Sequence, residues 1–110
     1  MKRLVLVFVG LVLAASAQPA AAAAGNAEAG KKKAALCQTC HGMDGMSKLP
    51  EAPNIAGQNP IYLVRALGDY KSGARKNEMM SVIIEQLTPE DINDLAAYYS
   101  SIKITVQAPK

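Results

Sequence analysis

The chain's 110 residues leave room for one small domain and little more. Its 12 Lys and Arg against 9 Asp and Glu make it mildly basic. Two of the basic residues, Lys2 and Arg3, sit in a leader, so ten face nine in the remainder and a nucleic-acid-binding stripe is excluded.

Residues 1–24 read as a cleavable secretory signal peptide. Lys2 and Arg3 form the positive start, and Leu4 to Ala15 is an apolar run too short to span a bilayer. Small-residue cleavage sites follow at Ala15-Ser16-Ala17 and Ala22-Ala23-Ala24. Cleavage after Ala24 is favoured, because the polar Gly25-Asn26-Ala27-Glu28 begins there; the earlier site stays open. The domain is then 25–110, about 86 residues, not membrane-spanning once processed. It has no Trp, and its one Phe, Phe8, belongs to the leader. Tyr62, Tyr70, Tyr98 and Tyr99 are the aromatics left. A domain this small is marginal on its own core and usually needs a staple.

Gly25 to Cys40 is predicted as a first helix, with Asn26 as N-cap and Glu28 in the first turn. Ala27, Ala29, Ala34 and Ala35 favour it. Gly30 works against it, and suits a close crossing by another helix. Lys31, Lys32 and Lys33 fan around the axis and are expected to be solvated.

At the end of this helix stands Cys37-Gln38-Thr39-Cys40-His41. C-x-x-C-H is the attachment signature of c-type haem. Two thiols three positions apart on one turn can each add to one of the porphyrin's two vinyl groups. The adjoining His is then held over the iron. A thioredoxin-type dithiol expects a strand before it and a βαβ pattern around it, which the Ala-rich helical flanks do not offer. A zinc site needs four ligands, and the chain has two Cys and one His. A disulfide here would close only a tiny loop and constrain the unfolded chain little.

From Gly42 to Asn59 turn-forming residues dominate, so a long functional loop is predicted, wrapped on the haem face and edge. Pro53 lies twelve positions after His41. Its carbonyl is a candidate acceptor for the ring N–H of His41, or Pro53 is an ordinary turn proline; spacing does not decide. Asn59-Pro60 opens a helix whose Leu63, Val64, Leu67 and Tyr70 share a face, ended by Gly73. Lys71 to Met80 reads as a polar connection, then Val82, Ile83, Ile84 and Leu87 as a short helical segment. Thr88-Pro89-Glu90-Asp91 starts a last helix to about Ile102, with Ile92, Leu95, Ala96, Tyr99 and Ile102 as its buried stripe.

A six-coordinate haem iron needs a second ligand, and the chain has no second His. Methionine is a known axial ligand. Met1 leaves with the leader, and Met43 and Met46 lie too near His41 to pass around the haem plane. Met79 and Met80 remain.

Cys37-Gln38-Thr39-Cys40-His41-Gly42, Pro53 with Ala56-Gly57-Gln58, Tyr62-Leu63, Gly73-Ala74-Arg75, Met79-Met80, and Leu87-Thr88-Pro89-Glu90-Asp91-Ile92 with Leu95-Ala96-Ala97-Tyr98-Tyr99 follow in order. Together they resemble a class I cytochrome c. The pattern is most similar to small monohaem periplasmic cytochromes of bacteria and to single halves of dihaem ones. This chain departs from the dihaem pattern in carrying one haem motif.

The resemblance implies an all-α fold, three main helices plus a short one wrapped around one covalently attached haem c with its iron. It implies attachment at Cys37 and Cys40, axial ligation by His41 and Met80 (Met79 being the alternative), and a Pro53 carbonyl that orients His41. Arg75 falls where such proteins place a basic residue near a haem propionate. The first and last helices are expected to cross with Gly30 near the tyrosines. The implied function is a soluble, monomeric periplasmic electron carrier that meets redox partner proteins and is not an enzyme. A subunit of a larger oxidoreductase uses the same domain, and a five-coordinate sensor or enzyme would follow if the Met ligand were absent. A haem-free dithiol protein is the remaining rival.

Overall fold

The computed structural model describes residues 24–110, and the leader reading therefore lies outside the described residues up to residue 23. Among the described residues all regular structure is helical. Helix α1 (Ala27–Lys33) leads through a tight 3-10 turn (Ala34–Leu36) into the one-turn α2 (Gln38–His41). A loop then runs to α3 (Pro60–Ser72), followed by α4 (Glu78–Glu85) and α5 (Pro89–Ser101). Helices α3 and α5 are the long ones, with 13 residues each.

Local rules place most boundaries. The Asn26 side chain accepts the Ala29 N–H and opens α1. Asn59 accepts the N–H groups of Ile61 and Tyr62, with Pro60 at the first helical position of α3. Gly73 ends that helix at φ 80°, a left-handed conformation that glycine adopts freely. Thr88 and Asp91 form a reciprocal capping box at the start of α5.

Two boundaries differ from the sequence reading. The single helix expected from Gly25 to Cys40 is broken after Lys33. Ala34 there is completely buried, and the chain tightens to 3-10 geometry before Cys37 turns into α2. Tertiary burial overrides the helical preference of the alanines. The second difference lies before α4. Asn77 accepts the backbone N–H groups of Met79 and Met80, so both methionines sit in the first turn of a helix, not at the end of a connection.

Helices α1 and α5 cross in close contact. A Cβ at Gly30 would overlap the Asp94 carbonyl and crowd the Tyr98 Cβ. Asp94 is buried, and both its oxygens are satisfied from α1's side. The Asn26 N–H donates to Oδ1 at 2.7 Å, and Lys33 Nζ donates to Oδ2 at 2.6 Å. Lys33 also pairs with Asp91 at 2.6 Å. Lys33 is thus a latch between two helices, whereas Lys31 and Lys32 are exposed as expected. The core around the crossing gathers Ala34, Leu63, Ile84, Leu87, Ile92, Leu95, Ala96 and Tyr99.

Candidate functional site

The Cys37–His41 stretch owes its shape to helical backbone bonds. The N–H groups of Cys40 and His41 donate to the Cys37 carbonyl at 3.3 and 2.9 Å, so Cys37, Cys40 and His41 share one turn. Gly42 then leaves the helix at φ 73°. A side chain is strained at that φ, and its Cβ would also meet the Met46 carbonyl, so the exit favours glycine.

The loop that follows is pinned along its length. The Lys48 N–H donates to the Cys40 carbonyl at 2.8 Å. The Ser47 N–H donates to Asn54 Oδ1 at 2.7 Å, and the Ile55 and Ala56 N–H groups share the Gly45 carbonyl. These bonds fold the loop back so that Pro53 meets His41. His41 is buried, and its Nδ1–H donates to the Pro53 carbonyl at 2.9 Å. A carbonyl only accepts, so Nδ1 carries the proton; in the neutral imidazole Nε2 is left with a free lone pair.

His41 and Cys37 line an apolar cavity closed by α3, α4 and α5. Leu63, Ala66, Leu67 and Tyr70 come from α3, Met80 and Ile83 from α4, and Leu95, Ala96 and Tyr99 from α5. The cavity is partly open to solvent. Its lining is almost wholly apolar, as a hydrophobic prosthetic group requires. Met80 is half-buried in this wall, while Met79, its neighbour, is 65% exposed and does not line it. Cys40 is half-buried beside Cys37 on the same turn.

Arg75 stands at the cavity's rim. Its Nη1 donates to the Tyr62 hydroxyl at 3.2 Å, and its guanidinium lies 5.1 Å from the centre of the Tyr70 ring. One cation is therefore held over an otherwise apolar opening. Tyr99, read from the sequence as part of the buried stripe of the last helix, and Tyr98, which flanks that stripe, reach the haem-motif side of the molecule. The Tyr99 hydroxyl donates to the Gly42 carbonyl at 3.0 Å and the Tyr98 hydroxyl to the Met43 carbonyl at 2.7 Å. Burial holds the Tyr99 phenol protonated well above tyrosine's usual range, so it stays a donor.

The donor set suits a haem. The oriented His41 imidazole, the Met80 thioether and Cys37 line one apolar cavity, and Cys40 stands on the same turn as Cys37 without lining it. Among the described residues no group of three or more His, Cys, Asp or Glu side chains gathers to hold a bare metal ion.

The family described as Cytochrome c matches residues 27–103. The chain belongs to the cytochrome c family. With the C-x-x-C-H motif at Cys37, Cys40 and His41, that membership assigns one covalently bound haem c and its iron. Cytochrome c4 of Pseudomonas aeruginosa is 42% identical over 98 residues, which cover 89% of this chain and 49% of that protein. Cytochrome c-554(548) of Halomonas halodenitrificans is 43% identical over 81 residues, 71% of this chain and 98% of that protein. The crystal structure of reduced recombinant cytochrome c4 from Pseudomonas stutzeri superposes with a TM-score of 0.69 at 42% identity, covering 76% of this chain and 48% of that one. The chain thus spans about half the length of the cytochromes c4 it matches.

Proposed function

We propose that this cytochrome c is a one-electron carrier of the periplasm, exported by its leader and working as the domain 25–110. The observation that carries the reading is the shared cavity of His41, with Nδ1 bound to the Pro53 carbonyl, and Met80. When bound, haem c supplies an iron that takes up and gives back a single electron.

Cys37 and Cys40 would tether the haem, and His41 and Met80 would fill its two axial positions. Pro53 fixes the plane of the His41 ring and makes the imidazole a stronger donor. Met80, a thioether, favours the reduced state and raises the potential, as do the apolar walls. With both axial positions filled by the protein, no site is left for a substrate, so the chain passes electrons and catalyses no reaction of its own. Arg75 offers a positive charge to a propionate at the rim. Partners are redox proteins, met in the small, short-lived encounters typical of electron transfer. Among the described residues no helix is long and apolar enough to cross a membrane.

Absorption spectroscopy with a redox titration of the exported protein tests this reading. We expect a c-type spectrum, reversible one-electron titration and a sulfur-to-iron charge-transfer band in the oxidised form. Met80→Ala removes that band and lowers the potential, and Met79→Ala keeps both. Ready carbon monoxide binding by the reduced wild-type protein contradicts two protein ligands and would overturn the carrier.

A further inference from the structure

The structure assigns Tyr99, assisted by Tyr98, as the positioning residue that sets the hydrogen bond between His41 and Pro53. The inference rests on the reading of His41 as an iron ligand and adds what controls its orientation.

Consecutive residues on a helix point about 100° apart, yet Tyr98 and Tyr99 bind consecutive carbonyls of one loop. Both hydroxyls nevertheless find acceptors there, because the chain leaves α2 at Gly42 and carries the Gly42 and Met43 carbonyls toward α5. The two rings meet edge to face at 5.1 Å, so neither swings independently. Tyr99 also holds the far end of the same loop, since its carbonyl accepts the Gly57 N–H at 2.9 Å. One residue therefore brackets the segment from Gly42 to Gly57. Inside that bracket lies Pro53, and directly before it lies His41. Both partners of the 2.9 Å bond between His41 Nδ1 and the Pro53 carbonyl are carried by backbone that Tyr99 fixes.

Packing alone does not explain the phenol. A Phe ring would fill the same space, whereas the hydroxyl donates to the Gly42 carbonyl at 3.0 Å, with Cys37 close beside it. Tyr99→Phe keeps the ring and the main-chain bond to Gly57 and deletes only the hydroxyl's hold. The Gly42–Met43 backbone is then free to shift, and the bond to Pro53 weakens. A weaker Nδ1–H bond makes the imidazole a poorer donor, which favours the reduced state.

The test uses the haem-loaded, exported protein and measures three quantities in wild type, Y99F and Y98F. These are the haem methyl shifts in proton NMR of the ferric form, the midpoint potential, and the melting temperature. The methyl shifts report axial-ring orientation. We expect the shift pattern to change and the potential to rise in Y99F, with smaller changes of the same kind in Y98F. A lowered melting temperature with wild-type shifts and potential would show a merely structural hydroxyl and overturn the assignment. Should Y99F fail to accumulate, Y98F decides alone, and wild-type shifts and potential in it likewise overturn the assignment. Absence of a histidine-ligated iron in the wild-type spectra would overturn both this assignment and the carrier reading, and so separates the two failures.

Discussion

The α1–α5 crossing and the cavity side of this domain solve the same problem, a core too small to stand alone, in opposite ways. At the crossing the protein completes itself: Gly30 lets backbones touch, Asp94 has a donor for each oxygen, and Lys33 ties both helices. On the cavity side α3, α4, the turn of α2 and the inner face of α5 line an apolar cleft. The first region is a finished joint. The second is a set of apolar walls beside the haem-attachment motif. Folding and cofactor attachment should therefore be separable in one region and inseparable in the other.

Blocking attachment is the strongest way to break that comparison. In the double variant Cys37→Ala, Cys40→Ala the cavity loses its covalent filling, and a domain of this size has little other core. We expect the cooperative thermal transition seen by circular dichroism to disappear, with loss of much of the helical signal. A variant that melts as sharply as the haem protein would mean that both regions are self-sufficient. Next in size is Gly30→Ala at the joint. The added methyl meets backbone rather than a movable side chain, so the helices must separate, at a cost of about 3 kcal/mol in urea unfolding. The haem spectrum should change far less than the stability, because neither Gly30 nor the Asp94 it meets lines the cavity.

Much of this organisation was legible in the sequence because it follows local rules. Asn26, Asn59-Pro60, Gly73 and the Thr88-Pro89 start announce their helix ends within four residues, and C-x-x-C-H announces its chemistry in five. What stayed hidden depends on partners far along the chain. Lys33 looks like one of three solvated lysines until Asp94, 61 positions away, is brought against it. The break at Ala34 carries no Gly or Pro, since burial alone dictates it. Asn77 stood inside a polar run and hid the start of α4, so Met79 and Met80 read as loop. Sequence spacing left those two methionines equal and only family resemblance preferred Met80; the helix turns one into the cavity wall and the other to solvent. Tyr98 was visible beside the buried stripe and Tyr99 within it, but their hydroxyl acceptors lie 55 and 57 positions away.

Acid probes the joint without mutation. Hydrogen bonds from Lys33, then from the Thr88 backbone, hold the Asp91 carboxyl down at about 2, against an ordinary value of 3.8. Asp94 is lowered as well, by Lys33 and the Asn26 N–H. A carboxyl whose folded pKa is depressed stabilises the fold above its unfolded value and loses that contribution as pH falls through the folded one. The loss should thus run from about pH 4 down to about 2. Lys33, raised by the same two partners, keeps its contribution through neutral pH and surrenders it only in strong alkali. Melting temperature followed across that acid window should fall steeply in wild type and more shallowly in Lys33→Met. Parallel curves would remove Lys33 from the account of the joint.

The smallest expected effect separates the regions most cleanly, because the same chemistry occurs once in each. Asn26 caps α1 at the joint and Asn77 caps α4 at the cavity. Either change to Ala should cost about 1 kcal/mol of global stability, the usual value of a lost N-cap. Their local consequences differ. Asn26→Ala frays the first turn of α1, while the Asn26 N–H can still donate to Asp94 and no cavity residue depends on that turn. Asn77→Ala releases the N–H groups of Met79 and Met80 themselves. The thioether of Met80 then sits on a frayed turn, and the proposed ligation of the iron by Met80 should weaken even though the protein stays folded. Equal denaturation midpoints for the two variants, with a weakened sulfur-to-iron charge-transfer band in Asn77→Ala alone, are the expected pair of results. An unchanged band in both would mean that the haem holds Met80 in place, and that the wall depends on its contents more than the contents depend on the wall.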